Sequence, residues 1–163
     1  MLGDRWGVTD EEVARTYPCD AVVPVPAWQA WRAVTVHTTP DRVWPWVRQL
    51  QVAPYSYDLV DNLGRRSPRR LLDVADPQIG DPFLQAGGRP FGRVASVDPG
   101  VQVTGTLLGA AMSYVLVPDG AGTRLLLKLT SDRARVLGRL VVLGDLVMAR
   151  RQLLTFARLA EGR

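Results

Sequence analysis

Arg150 draws attention first, because of the company it keeps. Leu143, Leu146, Val147, Leu153, Leu154 and Ala157 recur at helical spacing, and Arg150 falls in the middle of their stripe. An arginine there must pair, meet a ligand, or bend out to solvent beside Arg151. Left buried and unpaired, it would cost on the order of several kcal/mol. Pointing inward, its planar fork suits a carboxylate or a carbonyl-rich ligand. Asp58, in the run Tyr55-Ser56-Tyr57-Asp58, is its candidate partner. The same carboxylate could instead cap the free N–H groups of a helix starting there, and one carboxylate has acceptor sites for both tasks.

Tyr55 and Tyr57 present an apolar ring with a polar tip, useful for orienting a polycyclic or acyl ligand. Trp44 and Trp46 are two residues apart and cannot share a helical face. Trp46 sits with Val43, Val47 and Leu50 on an apolar stripe and reads as packing, whereas Trp44 is free to line a pocket mouth. For all four aromatics the alternative to ligand contact is core packing.

Other chemistries lack their residues. His37 is the only histidine, and Cys19 the only cysteine. Neither a His pair, a Cys pair nor a carboxylate–His cluster at ligand spacing occurs, so no metal site and no cofactor are expected. Gly-x-Ser-x-Gly, a phosphate loop and Gly-x-Gly-x-x-Gly after a strand are also missing. Gly87-Gly88 and Gly120-Ala121-Gly122 are explained as turns. Cys19 reads as a bystander thiol. With no disulfide possible within the chain, a cytoplasmic setting is expected.

The elements that must position these residues follow from local signals. Thr9-Asp10-Glu11-Glu12 is a capping box and predicts a short helix from Asp10 to Thr16. Pro18, Pro24 and Pro26 predict extended chain after it. Trp31 to Thr38 alternates as a half-buried strand, with Val34 and Val36 on one face and Ala33, Thr35 and His37 on the other. Thr39-Pro40 opens a helix that Pro45 should shorten or kink. A second short helix is predicted from Tyr57 to Leu63, ended by Gly64.

Beyond Gly80-Asp81-Pro82 the pattern turns β. Pro82 to Gln85 reads as a strand. Phe91–Val97 with Val101–Leu108, and Ser113–Val117 with Arg124–Ser131, read as antiparallel hairpins through Asp98-Pro99-Gly100 and Asp119-Gly120-Ala121-Gly122. Asp145 is a natural N-cap for a last helix, Leu146 to Ala160. The predicted class is α+β. A curved antiparallel sheet wraps a long C-terminal helix, two short helices follow the first strand, and a ligand cavity is left between sheet and helix. Residues 1–30 read as an extension with one short helix, and 31–163 as a single domain.

Composition agrees with a globular chain: 163 residues, 47% apolar and 22% charged. The most apolar stretch, Val136 to Ala149, is interrupted by Arg139 and Asp145, so no membrane insertion is expected. The N-terminus carries Asp4, Arg5, Asp10, Glu11 and Glu12 and does not read as a secretory signal. Net charge is +4, almost all of it arginine, since Lys128 is the sole lysine. The one dense basic run is Arg65, Arg66, Arg69 and Arg70. No aromatic residue interleaves with it to stack on bases, so no nucleic-acid partner is expected and a solvated loop is favoured.

The blocks Trp6-Gly7-Val8-Thr9-Asp10, Val43-Trp44-Pro45-Trp46-Val47, Tyr55-Ser56-Tyr57-Asp58, Asn62-Leu63, Ile79-Gly80-Asp81 and Gly144 to Leu153 occur in an order that resembles the START-like (SRPBCC) superfamily. That group includes polyketide cyclase/dehydrase-like proteins and lipid-transfer domains. More narrowly, the chain resembles an uncharacterised bacterial branch of it. Two departures touch the expected cavity mouth: a short link between Gln51 and Tyr55, and the basic run at Arg65–Arg70.

The resemblance implies the helix-grip fold and a hydrophobic small molecule as partner, such as a lipid, isoprenoid or polyketide-like compound. Trp44, Tyr55, Tyr57, Asp58 and Arg150 are the expected ligand-binding residues. The alternative is an aromatase/cyclase or dehydratase-type enzyme in which Arg150, Tyr57 and Asp58 polarise a carbonyl. A weaker alternative is a protein-interaction module using the basic surface. Oligomeric state is not legible.

Overall fold

The computed structural model describes residues 3–107, 109–132 and 135–163, with residues 135–146 described by their backbone alone. A six-stranded sheet dominates it. In chain order its strands are β1 (Arg5–Trp6), β2 (Trp28–Val36), β5 (Arg93–Asp98), β6 (Gln102–Leu107), β7 (Ala110–Asp119) and β8 (Gly122–Ser131). Their spatial order is β1-β2-β8-β7-β6-β5. All neighbours run antiparallel except β1, which joins β2 in parallel, pairing Arg5 with Trp31. A separate hairpin, β3 (Leu84–Ala86) with β4 (Arg89–Phe91), lies before β5.

The two long hairpins sit where turn residues placed them. Asp119 pairs with Gly122, leaving the two-residue loop Gly120-Ala121. Gly120 has φ +57°, the left-handed conformation that this tight turn requires. Val101 N–H closes the other turn on the Asp98 carbonyl at 2.9 Å.

Both faces of the sheet are covered, so the central strand β8 is apolar on both. Leu125, Leu127 and Leu129 face one cluster, together with Tyr114 and Leu116 of β7. Helix α3 (Pro40–Val47) and the C-terminal helix α4 (Arg135–Ala160) complete that inner core with Val43, Trp46, Leu153 and Phe156. Leu126, Val115, Ala111 and Ala33 face the opposite side, where Cys19 of α2 (Pro18–Val22) and Tyr17, the residue just before it, cover them. A curved sheet gripping one long helix is the helix-grip arrangement expected from the sequence.

Several local expectations change. Helix α1 (Asp10–Ala14) carries the capping box, with Thr9 Oγ1 accepting from Glu12 N–H and Glu12 Oε2 accepting from Thr9 N–H. Pro18 does not extend the chain: it stands at the first turn of α2, where its missing N–H costs nothing. The first long strand begins at Trp28, earlier than the alternation suggested. Pro45 is accommodated because α3 stops at Val47 and tightens into a 3-10 turn, Arg48–Gln51. That turn takes the place of the second short helix: Tyr57 to Leu63 is a looped turn, with Leu63 left-handed at φ +52°. Helix α4 starts at Arg135, so Asp145 lies inside it and not at its N-cap. The side chains of Asp145, Leu143 and Leu146 lie outside the described residues.

Candidate functional site

The loop between Val52 and Arg70 is held closed by its own polar groups. Asp58 accepts two hydrogen bonds from Ser67: one from its backbone N–H at 2.9 Å and one from its hydroxyl at 2.5 Å. Tyr55 N–H in turn donates to Ser67 Oγ at 3.2 Å. Ser56 Oγ donates to Asp61 Oδ2. Asn62, buried, donates to the Arg65 carbonyl at 2.7 Å and accepts from Gly87 N–H at 3.0 Å, which ties the loop to the β3–β4 hairpin.

Tyr55 anchors this loop to the core. Its backbone is left-handed (φ +57°), a conformation costing about 1–2 kcal/mol for a residue with a Cβ. Burial of its ring offsets that cost: the ring lies 5.3 Å from the Phe156 ring of α4, and its hydroxyl accepts from Gln49 Nε2 at 2.6 Å. Burial pushes the phenol up to about 12, and the Gln49 bond only partly opposes it. Tyr55 is therefore a neutral packing residue at the back of the loop.

A cleft of about 330 Å³ opens between this loop and α4. Tyr55, Ser56, Tyr57, Asp58 and Leu59 line it from the loop, and Arg151 and Leu159 from α4. Arg69 and Thr155 also reach it. The Arg151 guanidinium lies 5.8 Å from the centre of the Tyr57 ring. Asp61 sits close behind, with its carboxyl raised by burial and by the nearby Asp58 charge despite opposing backbone N–H groups. The cleft thus offers two guanidinium groups, a half-exposed tyrosine and apolar sides.

Of the five residues expected to bind ligand, the structure brings Tyr55, Tyr57 and Asp58 together here. Arg150 and Trp44 lie elsewhere. Arg150 is exposed, with its guanidinium 5.2 Å from the Trp6 ring, so it and Asp58 do not form a pair. Trp44 is buried, and its Nε1 donates to Asp76 Oδ1 at 2.7 Å. Asp58 closes the loop through Ser67 and caps no helix. Beneath residues 149–160 of α4 the space against the sheet is filled by packed side chains, Leu125, Leu127, Leu153 and Phe156 among them.

Arg151 and Arg69 were not singled out from sequence. In sequence Arg151 stands out only as the solvent neighbour of Arg150, and Arg69 only as part of a basic run. Arg32 is a third functional-looking position outside the expected site. It is fully buried on β2 and donates to the carbonyls of Asp4 and Trp31, each at 2.8 Å. A signal existed, since alternation puts Arg32 on the same face as Val34 and Val36.

A second hollow, about 380 Å³, lies beside β4, β5 and β6, lined by Pro82, Pro90, Gly92, Arg93 and Thr106 with others. Among the described residues Arg93 is its one charged lining group, and it is engaged with the Gly80 carbonyl at 3.0 Å. It offers less with which to orient a ligand. Among the described residues no group of three or more His, Cys, Asp or Glu is placed to hold a metal ion. No described helix is long and apolar enough to cross a membrane.

No protein-family model and no curated protein sequence matches the chain. Solved structures do. A structural-genomics protein from Rhodobacter sphaeroides superposes with a TM-score of 0.59 at 14% identity, covering 84% of this chain and 95% of the other. The KanY protein, solved in solution, matches with a TM-score of 0.54 at 16% identity, over 83% and 98%. DynU16, a protein of the dynemicin biosynthetic locus, matches with a TM-score of 0.50 at 16% identity, over 83% of this chain and 48% of DynU16. The likeness is one of fold. At these identities the helix-grip architecture carries over, and the helix-grip scaffold hosts a cleft whose residues are this chain's own.

Proposed function

We propose that this chain is a START-like helix-grip protein that binds and carries an amphipathic small molecule. The ligand would have an apolar body of the lipid, isoprenoid or polyketide kind and an acidic or carbonyl-rich head. The observation that carries this reading is the cleft between the 55–69 loop and α4, where Arg151 lies over Tyr57 and Arg69, Leu59 and Leu159 also line the space. Guanidinium groups bind a carboxylate or ketone edge in a fork, and the aromatic and aliphatic walls take up the apolar remainder. The volume suits the lower end of small-molecule sites.

The test is native mass spectrometry of the purified protein, then denaturing extraction of anything released, with titration of the fluorescent fatty acid cis-parinaric acid alongside. A near-stoichiometric apolar species, or saturable probe binding weakened by Arg151→Ala, supports the reading. A bare protein mass with no saturable probe binding sinks it.

The cyclase-type alternative draws on DynU16's place in a biosynthetic locus. It is the second choice, because Arg150 lies against Trp6 and the Asp58 carboxylate is already engaged by Ser67.

A further inference from the structure

Three of the largely exposed apolar side chains among the described residues lie together in sequence on the loop that borders the cleft. Leu59 is 83% exposed, Leu63 76% and Val60 69%. A folded protein shows single apolar residues at its surface routinely, but three within five residues on one tied loop form a patch. The loop is not slack. Asp58 is bonded to Ser67 at its neck, Gly64 N–H to the Asp58 carbonyl at 2.7 Å, and Asn62 to Gly87. Leu59, Val60 and Leu63 are therefore held outward.

Arginines follow that apolar run. Arg65, Arg66, Arg69 and Arg70 are all exposed and follow it directly. The β3–β4 hairpin lies alongside: the Leu63 side chain rests on Gly87 closely enough that a Cβ there would stand 2.8 Å from it, and the Arg65 guanidinium rests on Gly88. That hairpin adds exposed Arg89 and Phe91. The carboxylates nearby are Asp58 and Asp61, both engaged within the loop, and Asp73 beyond it. Exposed apolar side chains next to a run of exposed guanidinium groups match the two layers of an anionic bilayer surface, acyl chains inside and phosphates outside.

We propose that the 57–71 loop docks the protein peripherally on an anionic lipid bilayer, with Leu59, Val60 and Leu63 entering the interface and Arg65, Arg66, Arg69 and Arg70 meeting lipid phosphates. A nucleic acid would use the arginines and leave the leucines exposed. The loop carries no aromatic on its basic stretch to stack a base. The proposal does not depend on the cleft holding a ligand, although docking at its rim would let a carrier load from the membrane.

Co-sedimentation with vesicles tests it. The full chain is mixed with vesicles of phosphatidylcholine alone, or with a third phosphatidylglycerol, at low salt and at about 0.5 M salt, where surface charges are screened within a few ångströms. Binding should appear on the anionic vesicles and fall with salt. Arg65→Gln/Arg66→Gln should weaken it by about fivefold per arginine removed, and Leu63→Ser should weaken it at constant charge. None of these three residues lines the cleft, and all are exposed.

A second readout is independent of sedimentation. Cys19 is fully buried, so Leu63→Cys supplies the accessible thiol for an environment-sensitive dye. Its emission should shift blue when anionic vesicles are added. Absence of binding to anionic vesicles at low salt overturns the proposal. So does equal binding of polyuridylic acid with no effect of Leu63→Ser, which would assign the arginines to nucleic acid. Cis-parinaric acid binding without vesicles reads the cleft separately, so either idea can fail without the other.

Discussion

Arg151 lies over the Tyr57 ring, its guanidinium carbon 5.8 Å from the ring centre. Arg150, one position earlier, lies over Trp6 instead. Successive helical positions differ by about 100°, so the two arginines serve different surfaces. If the cleft binds an anionic or carbonyl-bearing head, Arg151→Ala should weaken cis-parinaric acid about tenfold, the worth of one charge-assisted hydrogen bond. Arg150→Ala should change it by less than about twofold. Equal losses from both variants would move the site away from Tyr57.

That one-residue difference shows where sequence reading reached its limit. The hairpins were legible because alternation and turn chemistry agree locally, and the Thr9–Glu12 box because both partners lie within one turn. Helix α4 was legible as a helix but not in its facing. Leu146-Val147-Met148-Ala149 is apolar all round, so composition alone does not choose a stripe. Packing chooses it: Ala149, Leu153, Phe156, Ala157 and Ala160 are buried and Val147 is 54% exposed. Arg150 falls just outside that stripe. Tyr57–Leu63 forms a turn where a helix was expected, for a related reason. Asp58 looks like a helix cap until Ser67, nine residues on, takes both of its oxygens. Non-local partners overrode a local signal in each case.

On the outer face of the sheet, Lys128 is 6% exposed and its Nζ lies 2.5 Å from Asp20 Oδ1, while Asp20 is 29% exposed. The ammonium also sits over the rings of Tyr17 and Trp31, at 5.3 and 5.2 Å from their centres. The asymmetry in burial sets the order of two mutational costs. Asp20→Asn leaves a buried ammonium without its counter-charge and should cost about 3 kcal/mol. Lys128→Met removes the buried charge and leaves a carboxylate that reaches water and still accepts from Tyr17 N–H at 2.9 Å, so it should cost about 1 kcal/mol. Urea unfolding of both variants checks this. The reverse order would mean that Lys128 does not depend on Asp20.

The N-terminal segment is latched to the sheet by Arg124. Its Nε and Nη2 donate to the two Glu12 carboxylate oxygens at 2.7 and 2.9 Å, and Nη2 also donates to the Gly7 carbonyl at 2.7 Å. Burial alone would raise the Glu12 carboxyl, but the Arg124 bond, the Thr9 N–H and the charges of Arg124 and Arg15 outweigh it and hold it below 4.5. A depressed folded-state value stabilises the fold above the unfolded value, and that contribution disappears as pH falls through the folded one. Glu12→Gln keeps an acceptor for the helix cap but loses the charge. It should cost about 2 kcal/mol at pH near 7. The gap between the variant and the parent should close as pH drops below 4.5. Urea midpoints across that range read it directly, and a gap that persists in acid would rule out the charge as its source.

Gly105 of β6 has a different task. A Cβ there would overlap the Phe83 ring, which is 3% exposed and lies 6.3 Å from the Tyr114 ring. The glycine leaves the hollow into which Phe83 packs against the sheet. Gly105→Ala should therefore destabilise by about 2 kcal/mol through overpacking, and not through backbone strain, since Gly105 is not left-handed. Phe83→Leu alone should also destabilise, by about 1 kcal/mol, by leaving space. Combined, the two should cost clearly less than their sum, because the smaller side chain makes room for the added methyl. Additive costs in urea unfolding would show that Phe83 and Gly105 do not share that space. A sub-additive pair would establish that Phe83, which leads into the β3–β4 hairpin beside the 57–71 loop, occupies the space on the inner face of the sheet that Gly105 leaves open.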